Sequence, residues 1–80
     1  MKKTTPDEQF LIGLYKLAMR EGNPFQPVPI HLVANDIRQK ETAVRNIVKH
    51  LAQANFLKKG EDDTVYLTQR GCDLALDGMS

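Results

Sequence analysis

Between Ala34 and Leu51 the small and apolar residues Ala34, Ile37, Val44, Ile47, Val48 and Leu51 fall at spacings that suit two helices meeting at an angle across a short turn. Asn55 stops this pattern, and the character of the chain changes at once. Phe56 to Lys59 and Thr64 to Leu67 read as short strands, joined by Gly60-Glu61-Asp62-Asp63. Glycine beside acidic turn formers makes a hairpin there, with a loop longer than the two-residue optimum. Few small folds accept a bent helix pair feeding directly into a hairpin, so this stretch constrains the rest of the chain.

The flanks fit around it. Thr5-Pro6-Asp7-Glu8 is a helix start: Thr5 can cap, Pro6 suits the first helical position, and Glu8 stands where a capping box needs it. Phe10, Leu11, Leu14, Leu17 and Ala18 then form one apolar stripe with Tyr15 at its edge, until Gly22 and Pro24 end the helix. Three prolines between Pro24 and Pro29 make that segment extended and stiff. Pro29 opens a second helix over about Ile30 to Ile37, the turn covers Arg38 to Lys40, and a third helix runs from about Glu41 to Ala54. Val44, Ile47, Val48 and Leu51 face inward on that helix, leaving Thr42, Arg45, Asn46, Lys49 and Gln53 on its other faces. Thr68 can cap a last helix in which Gly71, Leu74 and Ala75 share a face. The predicted order is helix, helix, helix, strand, strand, helix, in a single domain over 1–80 that is mainly α with a small β-hairpin.

An apolar fraction of 41% is enough for one core, and with 26% charged residues it argues against disorder. No apolar run approaches the roughly 20 residues of a membrane-spanning helix, and no signal-peptide core follows Lys2-Lys3, so the expected location is cytoplasmic, with no membrane partner. A lone cysteine, Cys72, fits a reducing compartment. The net charge of +1 hides a strong asymmetry. Residues 1–37 balance Lys2, Lys3, Lys16 and Arg20 against Asp7, Glu8, Glu21 and Asp36. Residues 38–59 set Arg38, Lys40, Arg45, Lys49, Lys58 and Lys59 against Glu41 alone, and residues 60–80 set Arg70 against Glu61, Asp62, Asp63, Asp73 and Asp77. The middle segment is therefore at +5 and the last at −4, so positive charge is confined to one stretch.

On these residues the sequence resembles the winged helix-turn-helix superfamily of bacterial and archaeal transcription regulators. Ala34 matches the small residue that lets the two helices approach, and Val44, ten positions later, takes the core place in the second of them. Leu51 with Ala54-Asn55-Phe56-Leu57 matches the helix end and strand start, and Leu67-Thr68-x-x-Gly71-x-x-Leu74 looks like the wing's return strand and following helix. The match spans about residues 30–76 and implies a three-helix core, a helix-turn-helix over about 30–54, a two-stranded wing over about 56–67 and a C-terminal helix. Arg38 stands where many members have glycine in the turn, Asn55 where glycine usually ends the recognition helix, and Lys40 is a poor cap for that helix.

The resemblance implies that helix 41–54 enters the major groove of double-stranded DNA, in a regulator of transcription. Its exposed residues have suitable chemistry. Arg45 carries a planar fork for guanine, Asn46 can pair with adenine, and Thr42 can touch a thymine methyl group or a phosphate. Lys40 and Lys49 suit phosphates, and Lys58 and Lys59 at the wing base suit the flanking backbone. Five net charges on phosphates would give log affinity a slope of about −4 to −5 against log salt. The plainer account is that any small domain carries such residues for solubility. The acidic tip Glu61-Asp62-Asp63 opposes a minor-groove role for the wing and reads first as a solvated turn, second as a site for a basic protein partner. That second possibility makes an adaptor without DNA binding the main alternative. RNA binding by the same face is a third, weakened by the lack of exposed aromatics on helix three or the wing other than Tyr66. A homodimer would use the first or last helix, with Phe10, Tyr15 and Met79 as candidate contacts.

Nothing suggests an enzyme. There is no phosphate-binding glycine loop or nucleophile elbow, and no pocket is expected at this size. His31, His50 and Cys72 lie far apart in sequence without paired ligands, so no metal or other cofactor is expected. Cys72, just inside the last helix, is either a packed core residue or a thiol activated by the helix start.

Overall fold

In the computed structural model, which describes residues 5–79, the chain forms α1 (Pro6–Met19), β1 (Val28–Pro29), α2 (Ile30–Asp36), α3 (Glu41–Gln53), β2 (Leu57–Lys59), β3 (Thr64–Leu67) and α4 (Gln69–Met79). Lys2 and Lys3 lie outside the described residues. The start of α1 follows from its first residues: the Glu8 amide donates to Thr5 Oγ1 at 3.2 Å, with Pro6 in the first turn. Past its end Gly22 takes φ 83°.

The stiff proline segment supplies a third strand. The sheet has the order β1-β3-β2, antiparallel throughout, with Val28 opposite Val65 and Leu57, Lys58 and Lys59 opposite Leu67, Tyr66 and Val65. Pro29, lacking an amide hydrogen, sits on an edge strand, where that absence is tolerated. Leu57, Val65 and Leu67 point to the helices and are fully buried, together with Phe10, Leu11, Leu14, Val33, Val44 and Val48. Phe10 is therefore a core residue, which corrects its candidacy as a dimer contact: it belongs to the stripe of α1 that faces α2, α3 and the sheet. Tyr15 is half-buried, and Met79 is exposed along with Leu76.

The helix ends differ by a residue from the periodicity, for a stated reason. Arg38 and Asn55 adopt positive φ, 57° and 65°, and each terminates its helix in the same way. The Gln39 amide donates to Ala34 O and Arg38 to Asn35 O; correspondingly Phe56 donates to Leu51 O and Asn55 to Ala52 O. These paired bonds are the Schellman closure, whose left-handed residue is ordinarily glycine. Ile37 and Ala54 thus become cap positions, α2 stops at Asp36, and α3 stops at Gln53. The discomfort expected of an arginine in the turn is present at Arg38. Lys40, as expected, gives α3 no side-chain cap.

α4 packs chiefly along α1, and its start is tied to the segment just beyond α3. Thr68 caps it, its Oγ1 accepting from the Gly71 amide at 3.1 Å, while the Thr68 hydroxyl donates to Asn55 O and the Thr68 amide to Phe56 O at 3.2 Å. Gly71 lies so close to this strand entry that a Cβ there would fall 1.7 Å from Phe56 O. Arg70 covers the other side of Phe56, its guanidinium carbon 4.9 Å from the ring centre. Cys72 is buried in the core, and desolvation, with Asp73 adding to it, raises its pKa. The burial opposes any activation by the helix start, so the core role is the one realised.

Candidate nucleic-acid interface

The inward stripe of α3 is Val44, Ile47, Val48 and Leu51, all buried. Directly opposite, at spacings of four, three and four, stand Thr42, Asn46, Lys49 and Gln53, all exposed. This crest is the part of the helix a flat or grooved partner would meet first. Gln53 belongs to it as fully as the other three; the periodicity sets it on an outer face, although it is not among the DNA contacts expected from sequence. Lys40 is exposed at the N-terminal end of the crest.

Arg45 lies off the crest, on the flank toward the wing. Its guanidinium is bound at both terminal nitrogens: Nη1 to Asp63 Oδ1 at 3.3 Å, and Nη2 to Asp63 Oδ2 at 2.6 Å and to Glu41 Oε1 at 3.1 Å. The wing tip aims one of its carboxylates here because of backbone conformation. Asp62 and Asp63 are the central residues of a turn closed by the Thr64 amide and hydroxyl on Glu61 O, and both take positive φ, 55° and 60°. That is the conformation of hairpin turns with a native twist, one that aspartate tolerates. It brings the Asp63 carbonyl to the Ile30 amide at 2.9 Å and its carboxylate to Arg45. Asp63 thus joins the wing to the starts of both α2 and the α3 flank.

All three acidic residues of the tip are exposed, as a solvated turn requires, and Asp63 in addition turns its carboxylate to Arg45. Hydrogen bonding to Arg45, reinforced by the arginine's charge and by Lys59 and His31, holds the Asp63 carboxyl below the usual aspartate range. Reciprocally, the Asp63 bonds hold Arg45 in its charged form. The Arg45 side chain is still 47% exposed, so the cluster is a surface network with water at hand.

The two wing lysines diverge. Lys59 shares a face of β2 with buried Leu57 and lines a shallow cleft of about 220 Å³ with Ile30, Arg45, Val48, Gly60, Asp63 and Thr64. Lys58 emerges from the opposite face, beside Tyr66. A single backbone strand lying against α3 can meet Lys59, with Lys58 pointing away. The alternation of a strand held this information in the sequence.

Among the described residues, no three His, Cys, Asp or Glu side chains come together as a metal-holding group, and no helix is long and apolar enough to cross a membrane. His31 and His50 are both exposed.

No family model matches the sequence, and no curated protein matches it. Solved structures do match its fold. A candidate DNA-binding protein from Ralstonia eutropha JMP134 superimposes with a TM-score of 0.67 at 18% identity, over 98% of this chain and 100% of that one. A MepR mutant from a multidrug-resistant S. aureus clinical isolate gives 0.69 at 14% identity, over 99% of this chain and 61% of MepR. S. aureus MepR bound to ethidium bromide gives 0.65 at 15%, over 96% of this chain and 60% of that one. The chain spans about three fifths of MepR's length. At these identities the likeness establishes the architecture: three packed helices, a hairpin wing with a minimal first strand, and a closing helix. The chain has the winged-helix fold.

Proposed function

We propose that this chain is a module for binding double-stranded DNA that lays the crest of α3 in the major groove, in the service of transcription regulation. The observation that carries this reading is the crest itself: four polar side chains in line, all exposed, with Lys40 and Lys49 available to phosphates. The DNA-binding description of the Ralstonia protein, matched along its whole length, supports it. A protruding helix is needed to enter a groove about 12 Å wide, and α3 is amphipathic with its polar side outward.

The geometry lowers the charge available for this task. Arg45 is neutralised by Asp63 and Glu41, and Lys58 faces away from α3, so of the expected cationic contacts Lys40, Lys49 and Lys59 are the ones this reading retains. Three phosphate contacts give a slope of about −3 for log affinity against log salt, shallower than charge counting suggests. A titration of random-sequence duplex from low to moderate salt tests this; absence of binding even at the lowest salt would remove the reading. Duplex RNA as competitor separates DNA from RNA binding. One module buries only roughly 600–1,000 Å² on DNA, so a discriminating site calls for a second copy or a partner, for which exposed Leu76 and Met79 on α4 offer apolar contact.

A second reading, an adaptor for a basic protein, draws on the exposed Glu61 and Asp62 beside a neutralised Arg45. Here charge reversal at Asp62 would abolish capture of a defined partner, whereas on the DNA-binding reading it would only tighten all duplexes alike.

A further inference from the structure

Guanine recognition by arginine needs a free fork: two N–H groups on one edge of the guanidinium, aimed together at O6 and N7. Arg45 has no such edge to spare. Asp63 takes the fork formed by Nη1 and Nη2, and Glu41 takes a further hydrogen of Nη2, which breaks up the other fork. The two carboxylates also leave the cluster with a net charge of −1, unfavourable to the electronegative edge of guanine. Asn46 stands next to it on the crest, exposed, with the paired donor and acceptor that match adenine N7 and N6. Gln53, with the same chemistry, follows seven residues on, about 10.5 Å along the helix. Three base-pair steps cover about 10 Å. Lys49, between them, has no planar fork with which to demand O6 and N7 together.

We infer that Asp63 is a specificity-determining residue: by withholding Arg45 from guanine it leaves base reading to Asn46 and Gln53, so that the module selects adenine-containing major grooves. This rests on the DNA-binding reading above and names the substrate class within it. Asp63 itself touches no base. It acts through Arg45, as a positioning residue carried by the wing.

The experiment compares Asp63→Gly with Asp62→Gly. Both remove one negative charge from the same turn, and both replace an aspartate at positive φ with the residue best suited to it. Of these two aspartates, only Asp63 bonds Arg45. Anisotropy titrations would use three duplexes of equal length: A·T, G·C, and A·T carrying 7-deazaadenine, which lacks the major-groove N7 but leaves the minor groove unchanged. The parent chain is expected to prefer A·T over G·C by about fivefold or more, and to lose that preference with 7-deazaadenine or in Asn46→Ala. Asp63→Gly should raise G·C affinity by about fivefold or more, whereas Asp62→Gly should tighten all duplexes alike. Equal behaviour of the two glycine variants, or indifference to 7-deazaadenine, overturns the inference while DNA binding stands. Failure of the parent and Asp63→Gly chains to bind any duplex at low salt overturns DNA binding itself.

Discussion

Replacing Gly71 by alanine should destabilise the fold by about 1–3 kcal/mol net, against the trend for a helical glycine. On propensity alone the change is favourable by about 1 kcal/mol. In place, however, the new Cβ would stand 1.7 Å from Phe56 O, 2.8 Å from its carbonyl carbon and 3.1 Å from Leu67 Cδ2. The first two are backbone atoms, so no rotamer change relieves them. α4 would have to retreat by roughly 1.5 Å or more to restore ordinary contact. That retreat strains the Thr68 amide's bond to Phe56 O, about 1 kcal/mol, and disturbs a well-packed core at about 1–3 kcal/mol more. For 80 residues the whole stability is about 4–12 kcal/mol, so the loss is a large share. Gly78 in the same helix is the control: its Cβ would meet the flexible ends of Ile12 at 3.2 Å and Glu8 at 3.5 Å, so Gly78→Ala should be neutral or gain up to about 1 kcal/mol. Urea unfolding followed by far-UV circular dichroism reads both; with a slope of about 1 kcal/mol/M the Gly71→Ala midpoint falls by about 1–3 M. A midpoint equal to the parent's, at unchanged slope, would refute the close approach of α4 to the end of α3.

Other outcomes follow from the same geometry. Arg38→Gly should stabilise by about 0.5–1 kcal/mol in the same assay, because a left-handed arginine costs about 1–2 kcal/mol and glycine returns part of that as chain entropy. The Asp63 carboxyl, followed by NMR, should titrate below the roughly 3.9 of a free aspartate and return toward it in Arg45→Ala. Since its folded value is depressed, the stabilisation from this pair is present above about pH 4 and is lost as pH falls through the folded value; no change is expected between pH 6 and 8. Cys72, buried and with a raised pKa, should react with thiol reagents at neutral pH only at the rate of unfolding, and denaturant should accelerate it sharply. Its neutral form is favoured in the folded chain, so that contribution holds below the free thiol's pKa of about 8.5 and fades as pH rises through the folded value.

Much of the architecture could be read from local rules, because local rules produce it. The stripe of α3, the Thr5-Pro6 start, the Thr68 cap and the glycine-acidic hairpin each depend on neighbours within a few residues. Even the awkward Arg38 could be flagged from its position. What escaped was tertiary. Arg45 and Asp63 are 18 positions apart, and their meeting depends on two consecutive aspartates adopting positive φ, which composition does not dictate. On the proposed reading the same bond bears on how the candidate interface would work, since it makes Arg45, the expected guanine reader, part of an ion pair. Phe10 belongs to the core, where its own stripe assigns it, and not to a surface contact, and the opposite facing of Lys58 and Lys59 follows from the period-two pleat.

β2 has a neighbour on one side only, because β3 occupies the centre of the sheet. Its outer backbone groups form a bare margin that a foreign strand could zip onto, and Lys58 and Lys59 are the residues stationed along it. Charge at that margin keeps separate molecules from polymerising through their sheets. The pair therefore guards this edge whatever the module binds, and exchanging both for valine would leave it prone to strand-to-strand assembly.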